Sequence, residues 1–100
     1  MLHTVNKSPF DRNTFDTCLR LAKKGSVILF IEDGVYAAMQ GTSVESKMKQ
    51  AVEDHDVYVL GPDLKARGMD ESKVVDGVHI VDYGDFVDLA VANGPVQAWL

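Results

Sequence analysis

Cysteine is nearly missing from this sequence, and basic residues, long apolar runs and the usual catalytic signatures are scarce or absent. The single cysteine, Cys18, cannot form an internal disulfide, whereas small secreted domains usually carry several. A reducing, cytoplasmic setting is the expectation. Lysine and arginine number 10 against 15 aspartates and glutamates, a net charge of -5. Proteins that grip nucleic acid by neutralising phosphates need a basic face. Here the densest basic group, Lys47 and Lys49, is flanked by Glu45 and Glu53, the mixed signs of a solvated helix face. Direct contact with nucleic acid is therefore not expected. The longest apolar run is Val27 to Ile31, against the roughly 20 residues that span a bilayer. Met1-Leu2-His3-Thr4-Val5 has neither the basic start nor the apolar core of a signal peptide, so no membrane association is expected.

The motifs of chemistry are thin as well. No G-x-S-x-G elbow, P-loop or G-x-G-x-x-G occurs, so neither a hydrolase nucleophile of that type nor a bound nucleotide cofactor is indicated. His3, His55 and His79 lack the close spacing of a zinc site. His55 reads as part of a polar turn, Glu53-Asp54-His55-Asp56, and His3 and His79 as buried, hydrogen-bonded residues of strands. No metal is expected.

What the chain does have is a regular alternation. A composition of 46% hydrophobic and 25% charged residues over 100 positions suits one globular domain, residues 1–100. Leu2 to Val5 reads as a first strand, halted by Asn6-Lys7-Ser8-Pro9. Asp11 or Asn13 caps a helix whose Phe15, Cys18, Leu19 and Ala22 recur at helical spacing, ending near Lys23-Lys24-Gly25. Val27 to Ile31 has no polar alternation and reads as a central strand covered on both faces. A helical turn over Val35 to Met39 follows, then a helix capped by Thr42 or Ser43 that runs to about Asp54 with Val44, Met48, Ala51 and Val52 inward. Val57 to Leu60 is a third strand, Asp63 to Arg67 a short helical turn, and Val78 to Val81 a fourth strand. A helix then carries Phe86, Val87, Leu89, Ala90 and Val91, and Val96 to Leu100 closes the chain as a strand or as a tryptophan anchor for another subunit. The expected fold is a single three-layer α/β/α domain: about five mainly parallel strands, flavodoxin-like, with helices on both faces.

Two places remain for function. Asn6-Lys7-Ser8-Pro9, between the first strand and a helix, lies where doubly wound sheets often bind phosphate, although Pro9 removes an amide donor. Cys18 is either a small apolar core residue or, with Arg20, Lys23 and Lys24 nearby in sequence, a thiol whose ionisation cations assist.

Several blocks together resemble the DsrH/TusB family of sulfur-relay proteins. They are Leu2-His3-Thr4-Val5-Asn6-Lys7-Ser8-Pro9-Phe10, Glu32-Asp33-Gly34-Val35-Tyr36-Ala37-Ala38, Asp63-Leu64-Lys65-Ala66-Arg67-Gly68, Val81-Asp82-Tyr83-Gly84-Asp85-Phe86-Val87 and Val96-Gln97-Ala98-Trp99. They span nearly the whole chain in one order. The resemblance implies a cytoplasmic subunit that joins DsrE-like and DsrF-like (or TusD-like and TusC-like) subunits in a heterohexameric sulfurtransferase. Such a complex relays persulfide sulfur to a DsrC-like or TusE-like acceptor. It also implies that the main acceptor cysteine sits on a partner, after a central strand, where this chain has Leu60-Gly61-Pro62-Asp63 and no cysteine. Cys18 matches a cysteine of the DsrH branch, which tilts the expectation toward sulfur oxidation, with Cys18 as a sulfur-handling residue. The alternatives are a TusB-like subunit serving 2-thiolation of the tRNA wobble uridine, and a purely structural subunit with no covalent sulfur chemistry.

Overall fold

The computed structural model describes residues 1–100. Five strands, β1 (Leu2–Val5), β2 (Val27–Phe30), β3 (Asp56–Leu60), β4 (His79–Val81) and β5 (Val96–Trp99), form one sheet in the order β4-β3-β2-β1-β5. Every pairing is parallel. Helices α1 (Thr14–Leu21), α2 (Glu45–Asp54), α3 (Gly61–Ala66) and α4 (Tyr83–Ala92) connect successive strands. The order explains why Val27–Phe30 is wholly apolar: β2 lies in the middle of the sheet, and all four of its residues are buried. Without polar alternation it has no face to offer water.

The two faces are unequal. On the first, α1 contributes Phe15 and Cys18, α2 contributes Met48 and Ala51, and α3 contributes Leu64 to one core with Ile28, Phe30, Val57 and Val59. Phe15 meets Phe30 edge to face at 5.2 Å between ring centroids. A 3₁₀ segment, Glu32–Ala38, fills the same layer with Val35, Ala37 and Ala38. On the second face α4 alone packs Phe86, Leu89 and Ala90 over Leu2, Val27 and Leu29. The expected three layers are present, but the third is a single helix.

Several local expectations needed correction. Asn13 stands at the N-cap of α1 without a side-chain bond to the helix, so the cap is positional only. The second long helix begins at Glu45 after Val44, not on Ser43; Thr42 Oγ1 instead accepts the Val44 amide at 3.3 Å, and the Glu45 carboxylate reaches back to the Gly41 amide at 2.6 Å. His79 is in a strand but exposed, because β4 is an edge strand, and it lies beside the Tyr58 ring. Of the apolar residues carried by α4, Val87 and Val91 are exposed. The carboxyl-terminal segment completes the sheet by pairing with β1. The Lys47 and Lys49 face is solvated as expected: Lys49 pairs with Glu45 one turn away, and Lys47 with Asp16 of α1.

Candidate functional site: the carboxyl edge of the sheet and the thiol of Cys18

In open α/β sheets, ligands and reactive groups gather where the parallel strands end. At that edge the chain leaving β2 turns sharply. Glu32 adopts φ 50, the only non-glycine residue with positive φ. A left-handed glutamate is strained by contact between its Cβ and the backbone, so something must hold it. The Glu32 amide donates to Asp63 Oδ2 at 2.6 Å. Asp63 lies in the first turn of α3, so the loop after β2 is pinned to the helix after β3. Arg67 completes the clamp: Nε and Nη2 each lie 3.0 Å from Asp33 Oδ1, and Nη1 donates to the Asp63 carbonyl at 3.2 Å. Beneath it, Gly34 rests on the end of β1, where an added Cβ would stand 2.1 Å from the Val5 carbonyl oxygen. The clamp leaves these polar groups engaged with one another.

The loop Asn6-Lys7-Ser8-Pro9 is likewise turned inward. Ser8 is buried, its Oγ accepts the Phe10 amide, and its carbonyl accepts the amides of Asp11 and Arg12. A cleft of about 350 Å³ beside it is lined by Ser8, Phe10, Asp11, Asp33 and Tyr36. Two carboxylates face that cleft, and like charge opposes a phosphate there. The amides of Phe10, Asp11 and Arg12 are spent on Ser8.

Cys18 is 0% exposed and belongs to the main core. Its thiol pKa is pushed up to about 12, and burial is the sole cause. Arg20, Lys23 and Lys24, near in sequence, do not lower it, since charge acts through space and the helix aims Cys18 at the sheet. A thiol this closed is protonated at neutral pH, and protonated sulfur is a poor nucleophile.

The histidines are separate. His3 Nδ1 accepts a hydrogen bond from Trp99 Nε1, and its pKa is lowered first by burial, then by the charges of the amino end and of His55. His55 lies in the turn between α2 and β3, as expected, but it is buried there, and its Nδ1 has no partner. No three His, Cys, Asp or Glu side chains converge as a metal site would require.

Comparison with known proteins settles the relationship. The family described as "DsrH like protein" matches residues 7–96. The chain belongs to the DsrH-like family. Protein TusB of Erwinia tasmaniensis is 39% identical over 100 residues, covering 99% of this chain and 100% of that protein. Protein TusB of Escherichia coli K12 is 36% identical over 99 residues, covering 99% and 100%. Among solved structures, the ychN protein of E. coli superposes with a TM-score of 0.82 at 16% identity, covering 97% of both chains. A protein of unknown function from Methanobacterium thermoautotrophicum gives 0.73 at 14%, covering 97% and 96%. At those identities the two structures speak for the fold alone. The DsrH-like chain thus has the expected family and fold, while its curated relatives carry the TusB name, the branch expected second.

The clamp of Glu32, Asp33, Gly34, Asp63 and Arg67 was not foreseen as a unit. Its signal was present: these residues lie in two of the blocks that carry the family resemblance, although Arg67 and Asp33 are 34 positions apart.

Proposed function

We propose that this DsrH-like chain is a TusB-type subunit of a sulfur-relay complex that serves 2-thiolation of the tRNA wobble uridine. Its relatives named TusB, aligned from end to end at 36–39% identity, carry the reading. In this reading the chain joins TusC-like and TusD-like subunits in a cytoplasmic heterohexamer. Sulfur passes as persulfide from a partner's cysteine to a TusE-like acceptor, and this subunit does not touch the tRNA. No helix is long and apolar enough to cross a membrane, which agrees with that setting.

The subunit's own part is structural. Persulfide transfer needs a thiolate that can reach the outer sulfur of its donor. The buried thiol of Cys18 supports a packing role over the sulfur-handling role that sequence suggested. The stretch after β3, where the partner's cysteine is expected, is here Leu60-Gly61-Pro62-Asp63, and the Asp63 carboxylate is committed to the Glu32 amide.

The test is genetic and chemical together. Deleting the gene should abolish wobble 2-thiouridine, measured by mass spectrometry of digested tRNA. Wild type and Cys18→Ala should restore it equally. Unchanged 2-thiouridine in the deletion strain, with loss of growth on reduced sulfur, would return the reading to the sulfur-oxidation branch. A persulfide mass shift on Cys18, with no rescue by Cys18→Ala, would overturn the structural role.

A further inference from the structure

A cleft of about 420 Å³ opens at the amino edge of the sheet, the edge opposite the clamp, between β1 and the end of α1. It is lined by Met1, His3, Leu21, Lys23 and Ser26. His3 is the deeply set polar group among them, only 6% exposed. Its tautomer decides what the cleft can take. Trp99 Nε1 donates to His3 Nδ1 at 3.1 Å, so Nδ1 must keep its lone pair and the ring proton sits on Nε2. Trp99 does not line the cleft, whereas His3 does. Nε2 bonds no acceptor in the protein, yet it is not among the buried atoms left unpartnered. The Nε2–H edge of the ring therefore faces the open cleft.

A neutral imidazole in this state can donate through Nε2 but cannot ligate a metal there without giving up the Trp99 bond. What it offers the cleft is a donor that needs an acceptor. Lys23 adds a positive charge that is in no ion pair, and no carboxylate lines the walls. The end of α1 opposes an anion only weakly, because the Lys23 carbonyl already accepts the Ser26 amide and, at 2.5 Å, Ser26 Oγ. That bond also spends the Ser26 proton, so Ser26 has none to give a ligand. The remaining walls are apolar, from Leu21 and Met1, which are 60% and 57% exposed. We propose that this cleft binds a small monocarboxylate with an apolar body. The carboxylate accepts from His3 Nε2–H and pairs with Lys23, and the body lies along Leu21 and Met1. A few placed polar groups beside apolar walls are what a small-molecule site requires. The site is independent of the sulfur-relay reading and of Cys18.

The experiment titrates the full-length, nitrogen-15-labelled chain with hexanoate at neutral pH and fixed ionic strength, following the His3 ring nitrogens and the backbone amides by NMR. Saturable shifts should appear at His3, Leu21 and Lys23 in the millimolar range or below, with the proton staying on Nε2. Acetate should bind about tenfold more weakly, the loss expected for roughly two buried methylenes. Hexylamine, with the same body and the opposite charge, should not bind. Lys23→Glu should weaken hexanoate by about tenfold or more, whereas Lys24→Glu, off the cleft, should change it less than about twofold. Both side chains are exposed, so the urea midpoints should match wild type. No saturable shift up to tens of millimolar would overturn the site. Equal weakening by Lys24→Glu would reduce it to diffuse charge and overturn it too. Inorganic phosphate binding at these residues more tightly than hexanoate would overturn the carboxylate assignment, as would zinc taking Nε2 with loss of the Trp99 indole bond.

Discussion

The indole Nε1 of Trp99 donates a hydrogen bond of 3.1 Å to Nδ1 of His3, joining residues 96 positions apart. It fastens the side chains of β5 to those of β1, beside the parallel ladder that pairs Val5 with Trp99. The bond requires a neutral imidazole with its proton on Nε2, since a protonated Nδ1 has no lone pair to offer.

That requirement makes stability depend on pH. Burial is the largest cause of His3's lowered pKa, so the folded chain holds its proton less tightly than the unfolded chain, whose ordinary value is 6.5. The unfolded state then binds more protons, and stability rises with pH. The contribution is complete above the ordinary value and is lost as pH falls through the lowered one. The urea midpoint, followed by tryptophan fluorescence, should drop between neutral and mildly acid pH. His3→Leu should flatten that part of the profile. An equal slope in the variant would assign it to other groups.

Cys18 should behave as a core atom. With a thiol pKa of about 12, roughly one thiol in ten thousand is ionised at pH 8. Native protein should resist alkylation, and labelling should appear only as denaturant unfolds it. Cys18→Ser should destabilise by about 1–3 kcal/mol, because a buried hydroxyl without a partner loses its hydration. Cys18→Ala should cost less. Rapid labelling of the folded chain would contradict the packing seen here.

Gly34 admits no side chain. Its phantom Cβ meets backbone, the Val5 carbonyl oxygen, which cannot swing aside as the end of a long side chain could. Gly34→Ala should therefore destabilise by about 3 kcal/mol or more, at or beyond the upper end of ordinary overpacking. Denaturant titration of the purified variant checks this; a change below about 1 kcal/mol would mean the loop after β2 yields far more easily than close packing allows.

The clamp separates strain from its restraint. Asp63→Ala removes the acceptor for the Glu32 amide and should cost about 1–2 kcal/mol. Glu32→Gly relieves the left-handed strain and should stabilise by about 0.5–1 kcal/mol. Made together, the two changes should fall short of additivity, as expected of groups in contact. A strictly additive double variant would show that Asp63 does not restrain Glu32.

Where local pattern decides structure, the sequence was readable. The α1 stripe of Phe15, Cys18, Leu19 and Ala22 faces the core as its spacing implies, and β2 is central because it has no polar side. Capping was less readable: Asn13 and Ser43 have the right chemistry, yet neither side chain bonds its helix, and at α2 it is Thr42 that accepts, through Oγ1 from the Val44 amide and through its carbonyl from the Glu45 amide. The clamp was not readable as such, because its members come from separate loops that only the parallel register of β1, β2 and β3 brings together.

By itself, the sequence pointed to an α/β fold with a mainly parallel sheet, to a resemblance with the DsrH-like family, and to a single thiol as all it can offer to sulfur chemistry. Periodicity and composition suffice for the fold class and the thiol count, because they act within a helix turn or a strand, whereas the family rests on the resemblance of whole blocks. Whether that thiol faces a partner or the core, and that α4 is left to cover the second face alone, only tertiary structure decided. Burial and exposure depend on which distant segments arrive, and no local pattern records them. Val87 and Val91 are apolar yet stand in solvent because no second helix reaches their face.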